Sequence, residues 1–404
     1  MTNQILWLKV AGLAAIQGAI TLTWVIYNLY LSDLFVQFGL SLGLATGLLI
    51  IENAVETVIE PLAGLISDRT KLWMGSRLPF ISLGIVAASA LFIAIPTIFI
   101  FGRITLLLWL LPTVAFLWAM AMAMFRSPAI SLLSQCAPTE KLPQVASVLT
   151  VVGGLISAFR FSAYQVILNI GAPFAFGIGS FILLLAAFVL RFVYRNRDNQ
   201  NLDTSNNKVL SWRDLKPFVP TFALIFFTGM AIAWGLRFQV KTLGMVFANQ
   251  IGKDYISLGM ICFNLNLAII ALPMGIVATK IGNLKTMALG LLLLLICLPC
   301  LAQFAYPHTV IICLLIMLVS FSVVLNGAIP YALQFSPPAQ SGLAIGMYFG
   351  GFGAAMSIFD FLLPKSVELT VTASSIGGAI AFGLGLLSIL STKKLDELQK
   401  LSNR

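Results

Sequence analysis

Three carboxylates, Glu52, Glu56 and Glu60, recur at four-residue steps inside an otherwise apolar run. On an α-helix each such step turns the chain by about 400° and lifts it by about 6 Å, so the three form one slowly drifting stripe. A charged side chain at the middle of a membrane helix costs roughly 2.5–3.5 kcal/mol on insertion scales. A stripe of three must therefore face protein or water and be paired or protonated. The chemistry open to it is the loading and release of protons.

Depth along the helices suggests which bases meet which acids. Arg126 lies about 9 Å before the end of its apolar run, level with Glu60, and Arg160 lies about 22 Å into its own run, level with Glu52. Glu56 is left near the midplane with no base opposite, the situation of a carboxyl that changes protonation state as its surroundings change. The expectation is that Glu56 is the main proton carrier and that Glu52–Arg160 and Glu60–Arg126 are supporting pairs. The alternative is that all three acids are permanently neutral or paired and serve only to fix helix packing.

A second set suits binding of a polar solute. Gln17, Thr21, Trp24 and Asn28 follow one another at spacings of four, three and four, a narrow polar stripe along the first apolar run. Asn264 and Asn266, Asn326 and Trp234 add amides and an aromatic plate on three other runs. Sugar sites use this mixture, since hydroxyls take amide and carboxylate partners while the apolar ring face stacks on an aromatic. The bland reading of each residue is interhelical hydrogen bonding or an interfacial Trp. No nucleophile–base pair, metal-ligand cluster or phosphate loop is present, and the single His, His308, falls at a loop, so an enzyme, a metal site and a cofactor are not expected.

The elements that must carry these groups follow from composition. Of 404 residues 59% are hydrophobic and 9% charged, and the mean hydropathy is +1.00. A water-soluble globular chain would have about 25% charged residues. At about 20 residues per crossing, twelve crossings use roughly 240, and the runs are too long for the strands of an outer-membrane barrel. Apolar runs near 8–32, 41–66, 80–100, 104–132, 145–168, 172–193, 218–240, 255–278, 284–303, 308–332, 341–363 and 370–390 predict an all-α membrane protein of twelve transmembrane helices. The first run is too long for a signal peptide and should remain as helix one. The five cysteines (136, 262, 297, 300 and 313) lie in or beside apolar runs and read as buried packing.

Lys and Arg outnumber Asp and Glu by 24 to 14, and the excess reads as topology rather than nucleic-acid binding. Placing the N-terminus inside puts Arg69, Lys71, Arg77, Lys141, the basic residues from Arg191 to Lys216, Lys280, Lys285 and the C-terminal lysines in the cytoplasm. Both termini are thus expected on the cytoplasmic side of the plasma (inner) membrane. The polar stretch Arg195–Lys216 has the composition of a solvated linker. It divides the chain into a six-helix bundle at 1–194, a cytoplasmic linker at 195–217, and a second six-helix bundle with a short tail at 218–404. Gly64-Leu-Ile-Ser-Asp68 and Gly275-Ile-Val-Ala-Thr279, at the ends of helices two and eight, look like distant copies. So do Ala129-Ile130, Pro138 and Gly153-Gly154 beside Ala328-Ile329, Pro337 and Gly350-Gly351. Two parallel repeats with a site between them are the plan of alternating-access carriers.

The segment Glu60–Phe80, EPLAGLISDRTKLWMGSRLPF, resembles the helix-two to helix-three signature of the major facilitator superfamily. Pro before Gly, Ser-Asp-Arg and the closing Pro-Phe resemble in particular the branch of plant sucrose carriers and glycoside–pentoside–hexuronide cation symporters. Phe125-Arg126-Ser-Pro-Ala-Ile-Ser-Leu-Leu133 and the Trp234 region are similar to that branch as well. The branch has two or three consecutive Arg where this chain has Gly75-Ser76-Arg77, and no acid stands in Ile104–Leu132, where sucrose carriers keep one. Coupling must therefore use acids elsewhere. The resemblance implies the major facilitator fold of two pseudo-symmetric bundles, and a gating role for Asp68, Arg69 and Arg77 in a charged latch that holds the outward-open state. Gly342, Gly346 and Gly350 on helix eleven have small-xxx-small spacing, which would let another helix, with helix two the nominee, approach closely.

The resulting functional expectation is a secondary transporter moving a small polar solute, a sugar or glycoside, with protons or Na+, in a lipid bilayer. A non-transporting membrane assembly or pigment-delivery factor on the same twelve-helix body, or an exporter of amphipathic compounds, is the alternative. A scaffold gains little from ionisable groups at the midplane, and an exporter would favour an aromatic cavity over amides.

Overall fold

The computed structural model describes residues 4–101, 108–162, 164–195, 216–303, 306–364 and 367–402. Twelve long helices run through them: α1 (Trp7–Gln37), α2 (Leu42–Met74), α3 (Leu78–Phe101), α4 (Leu110–Ser131), α5 (Leu142–Ser162), α6 (Ala172–Arg195), α7 (Val219–Ile251), α8 (Ile256–Ile281), α9 (Asn283–Gln303), α10 (Pro307–Gln334), α11 (Ser341–Leu362) and α12 (Val371–Ser402). Each has the length and apolarity to cross a bilayer, and no strand occurs among the described residues. The protein is an integral multi-pass membrane protein.

Hydropathy marks where each helix enters lipid better than where it stops. Helix α2 has 33 residues and α12 has 32, about 50 Å each, against a hydrocarbon core of about 30 Å. Their ends carry the charges that close a hydropathy window without unwinding a helix. Helix α7 likewise continues to Ile251, so Arg237 and Lys241 lie within it rather than near its end. Helical residues cover the expected span 145–168 on both sides of position 163, which lies outside the described residues, and run on to Ile170; Gly171, with a φ of 85°, then turns the chain into α6.

Apolar side chains pack into two clusters. One is built from α1–α6 and the other from α7–α12 together with Ile130 of α4. The linker expected at 195–217 falls almost wholly outside the described residues. The two clusters meet where glycines remove side-chain bulk. A Cβ at Gly64, Gly346 or Gly350 on the α2–α11 seam would run into the backbone carbonyls of Gly342, Glu60 and Thr57 respectively. Pro61 sharpens the approach, because its missing N–H leaves the Thr57 carbonyl without its helical donor just where Gly350 lies. A second seam joins α5 to α8, with Gly154 against Ala268 and Gly275 against Ser147 and Pro143.

Candidate functional site

The four-residue spacing on α2 carries through to geometry. Glu52, Glu56 and Glu60 are all buried, on the side of α2 turned toward α1, α4 and α11. Arg126 of α4 spans two of them: its Nε donates to Glu60 Oε1 at 2.7 Å and a terminal nitrogen donates to Glu56 Oε2 at 2.9 Å. Glu60 thus meets Arg126, and Ser127 beside it donates to the Glu60 carbonyl at 3.1 Å, fixing α4 on α2. The expectation that Glu56 stands without a base is wrong. A guanidinium is a planar fork of donors and can reach two carboxylates one turn apart, which matching by single depth does not allow for.

Glu52 has a different neighbour. The Tyr27 hydroxyl donates to Glu52 Oε1 at 2.5 Å, and Glu52 Oε2 is buried with no partner among the described residues. The expected Glu52–Arg160 pair cannot be placed, because the Arg160 side chain lies outside the described residues. Tyr27 also ties the acids to the polar stripe of α1. Its ring lies 5.8 Å from that of Trp24 and 4.3 Å from that of Trp118 on α4, and Phe92 stacks on Trp118 at 4.9 Å. The Trp24 Nε1 is buried and unbonded among the described residues.

The other α1 positions are partly covered to open. Gln17 Nε2 donates to Thr21 Oγ1 at 3.4 Å, and Asn28 is exposed with its amide folded onto the Trp24 carbonyl at 2.8 Å. Asn264 and the exposed Asn266 likewise donate to carbonyls one turn back, Met260 and Cys262. Two residues sit inside helix contacts instead. Asn326 of α10 is fully buried and donates to the Ala271 carbonyl of α8 at 2.8 Å, and Trp234 Nε1 donates to the Ala355 carbonyl of α11 at 2.7 Å. Both bonds join helices of the second cluster, so these two act in packing here and the α1 stripe is the more open set.

At the end of the bundle where α2 passes into α3, Gly75 adopts φ 74°, a left-handed cap that folds the chain back and buries Arg77. Arg77 pairs with Asp68 and also donates to Ser131 Oγ at 2.6 Å and to Ser341 Oγ at 2.8 Å. Asp68 in turn accepts from the backbone N–H of Gly342 at 2.9 Å and of Leu343 at 2.8 Å. Those amides open α11 and have no intrahelical acceptor, and a carboxylate at a helix N-terminus is favoured by the dipole as well. One ion pair therefore ties the ends of α2 and α4 to the start of α11. Burial pushes the Arg77 guanidinium down from its ordinary value, against the pull of Asp68. Arg69 is exposed and adds no contact to this knot among those described.

Several participants carry no sequence signal of their own. Ser131 and Ser341 are ordinary helix-end serines, and Tyr27 reads as one more aromatic in an apolar run. Arg237 donates to Asp360 Oδ2 at 2.7 Å, so Asp360 is a partner within the α7–α11 contact. Phe349 of α11 lies 4.7 Å from the Arg126 guanidinium and crosses from the second cluster to do so. The glycines on either side of it were the available hint.

The sequence model of the Major Facilitator Superfamily matches residues 13–359. No curated protein sequence matches the chain. Solved structures agree over nearly the whole length. The FucP transporter in its outward conformation superposes with TM-score 0.68 at 14% identity, over 95% of this chain and 98% of that one. A bacterial homologue of the iron transporter ferroportin, outward-facing with soaked iron, gives 0.68 at 16%, over 95% and 99%. The human organic anion transporter MFSD10 gives 0.66 at 12%, over 95% and 99%. At such identities the likeness is one of fold.

Proposed function

Because the chain belongs to the Major Facilitator Superfamily and is a membrane transporter rather than an enzyme, we propose that it carries a small polar solute of the sugar or glycoside class in symport with protons, by alternating access. The observation that carries the proton assignment is the acid cluster. Three buried carboxyls face one described guanidinium, and two of their oxygens, Glu52 Oε2 and Glu60 Oε2, have no partner among the described residues. Three carboxyls with one described counter-charge between them are the kind of set a proton-coupled carrier needs, because buried ionisable groups in a membrane segment mark ion and proton pathways. Glu56 and Glu60 share Arg126 and form the exchange site. Glu52, bonded to a neutral phenol, is the third acid of the path and the one nearest the α1 stripe.

Solute binding is assigned to Gln17, Thr21, Trp24 and Asn28 with Asn264, and the unbonded Trp24 N–H supports a hydroxyl-bearing ligand there. Asn326 and Trp234 support that site by holding α8 and α11. The two apolar clusters support the division at 1–194 and 218–404 around a linker, the two bundles rocking about the α2–α11 and α5–α8 seams. With both termini in the cytoplasm of the plasma (inner) membrane, the knot at Asp68 and Arg77 is a cytoplasmic latch that closes that end, as in an outward-facing carrier. Arg69 is then free to follow the lipid surface.

The test has two steps. Purified protein is screened for thermal shifts against mono- and disaccharides, and the sugars that stabilise it are offered to proteoliposomes with an imposed pH gradient. Accumulation that collapses with the gradient supports symport. Accumulation that ignores it refutes proton coupling, and a uniform failure of polar solutes alongside export of amphipathic dyes would favour the exporter.

A further inference from the structure

We propose that Phe349 is the coupling residue of this carrier, the group through which the charge state of Glu56–Arg126–Glu60 acts on the second bundle. The proposal rests on the proton-coupled reading above. Arg126 turns its fork of donors to the two acids and lies 4.7 Å from the ring of Phe349. Phe349 belongs to α11 and packs with the second apolar cluster, its ring against that of Tyr348. The seam is still close at this level. Gly346, Gly350 and Gly353 bring the α11 backbone onto Glu60, onto Thr57 and Pro61, and onto Asn53 and Glu56. Among the described contacts Phe349 is the side chain of the second bundle that meets this charged set.

The sign follows from electrostatics. A cation over an aromatic face is attracted by the ring quadrupole, and the attraction grows as the cation is less compensated by nearby anions. With both acids ionised, Arg126 sits between two negative charges. A proton on either acid removes one of them and leaves more uncompensated charge toward Phe349, so loading tightens the hold of α11 on α4, and through the Arg126 pairs on α2, and release loosens it. A desolvated contact of this kind can bias a two-state equilibrium by roughly tenfold. The other groups around the pair are Glu52 with Tyr27 one turn along α2, and the buried Tyr348 phenol beside Phe349 on α11. The one acid of α11, Asp360, is held by Arg237. The side chain of Arg160 lies outside the described residues.

The experiment is hydrogen–deuterium exchange of the full chain in lipid nanodiscs, in mildly acidic and mildly alkaline buffer, corrected for intrinsic exchange rate and read at the seam around residues 64–75 and 342–350. Wild type should be about tenfold better protected at the acidic condition. Phe349→Leu should lose that difference and Phe349→Tyr should keep it, since the ring rather than the volume is required. If Phe349→Leu does not fold, Phe349→Met keeps comparable bulk without a ring and gives the same reading. A pH response that survives loss of the ring overturns the role of Phe349 alone. A wild type with no pH response at all overturns the proton-coupled reading beneath it.

Discussion

Replacing Asp68 by Asn should open the end of the bundle at which α11 begins. In the structure Asp68 pairs with Arg77, both about 1% exposed, and accepts from the amides of Gly342 and Leu343. Removing one partner of a buried ion pair costs about 3–5 kcal/mol. The bonds from Arg77 to Ser131 and Ser341 survive and pull the figure toward the lower bound. Not all of that favours opening. Asp68 and Arg77 belong to the same bundle and can stay paired when the bundles part, so the pair itself stabilises both conformers. The Arg77 bond to Ser341 also crosses to α11 but is untouched by the substitution, so what Asp68→Asn changes between them is the charge-assisted pair of bonds to α11, about 1.5–3 kcal/mol each when intact. An Asn carbonyl can keep one of the two, so the net bias is about 1.5–3 kcal/mol, or roughly ten- to a hundredfold in conformer population. Hydrogen exchange at Gly342 and Leu343 reads this directly, since both amides should lose protection by that factor while the α2 segment near Glu52 keeps its own. Wild-type protection at these amides in Asp68→Asn would refute the latch.

Four further outcomes follow from the same geometry. Glu56→Gln should abolish solute accumulation driven by a pH gradient while leaving solute exchange across the membrane within a few-fold of wild type; gradient-driven accumulation at the wild-type level would remove Glu56 from coupling. Tyr27→Phe takes the described donor from a buried carboxyl, a loss of about 1–3 kcal/mol that should appear as a lowered melting temperature and as a displaced pH profile of transport. Gly346→Val drives a side chain into the Glu60 carbonyl and should cost about 1–3 kcal/mol, slowing turnover more than it weakens solute binding, as separate uptake and binding assays would register. Arg237→Ala breaks a pair whose members are 40% and 27% exposed, so the melting temperature should barely move, with a cost under about 1 kcal/mol.

The helices were legible because a lipid core demands long apolar runs, and eleven of the twelve spans lie within a few residues of their expected starts among the described positions. Their ends were not, since Lys71, Lys241 and Lys393 end a hydropathy window while the helix continues into a polar layer. In the acid cluster, spacing gave the common face and depth gave Glu60–Arg126, because both are one-dimensional properties. The second arm of Arg126, the Tyr27 donor and the Asp68 contact with α11 are set by how helices distant in sequence lie against each other. Asp68 and Gly342 are 274 positions apart, and the amides at a helix start look the same whatever residue bears them. The glycine spacing on α11 did foretell a close neighbour, since only a missing Cβ permits backbone to touch backbone.

The central claim is that the buried carboxyls exchange protons as the bundles alternate. Its most direct test is the external pH of a lightly buffered proteoliposome suspension when a stabilising sugar is added without any imposed gradient. The account predicts that the medium turns alkaline as sugar and protons enter together, and that Glu56→Gln takes up sugar with no alkalinisation. Sugar entry into wild-type vesicles at unchanged external pH would contradict it.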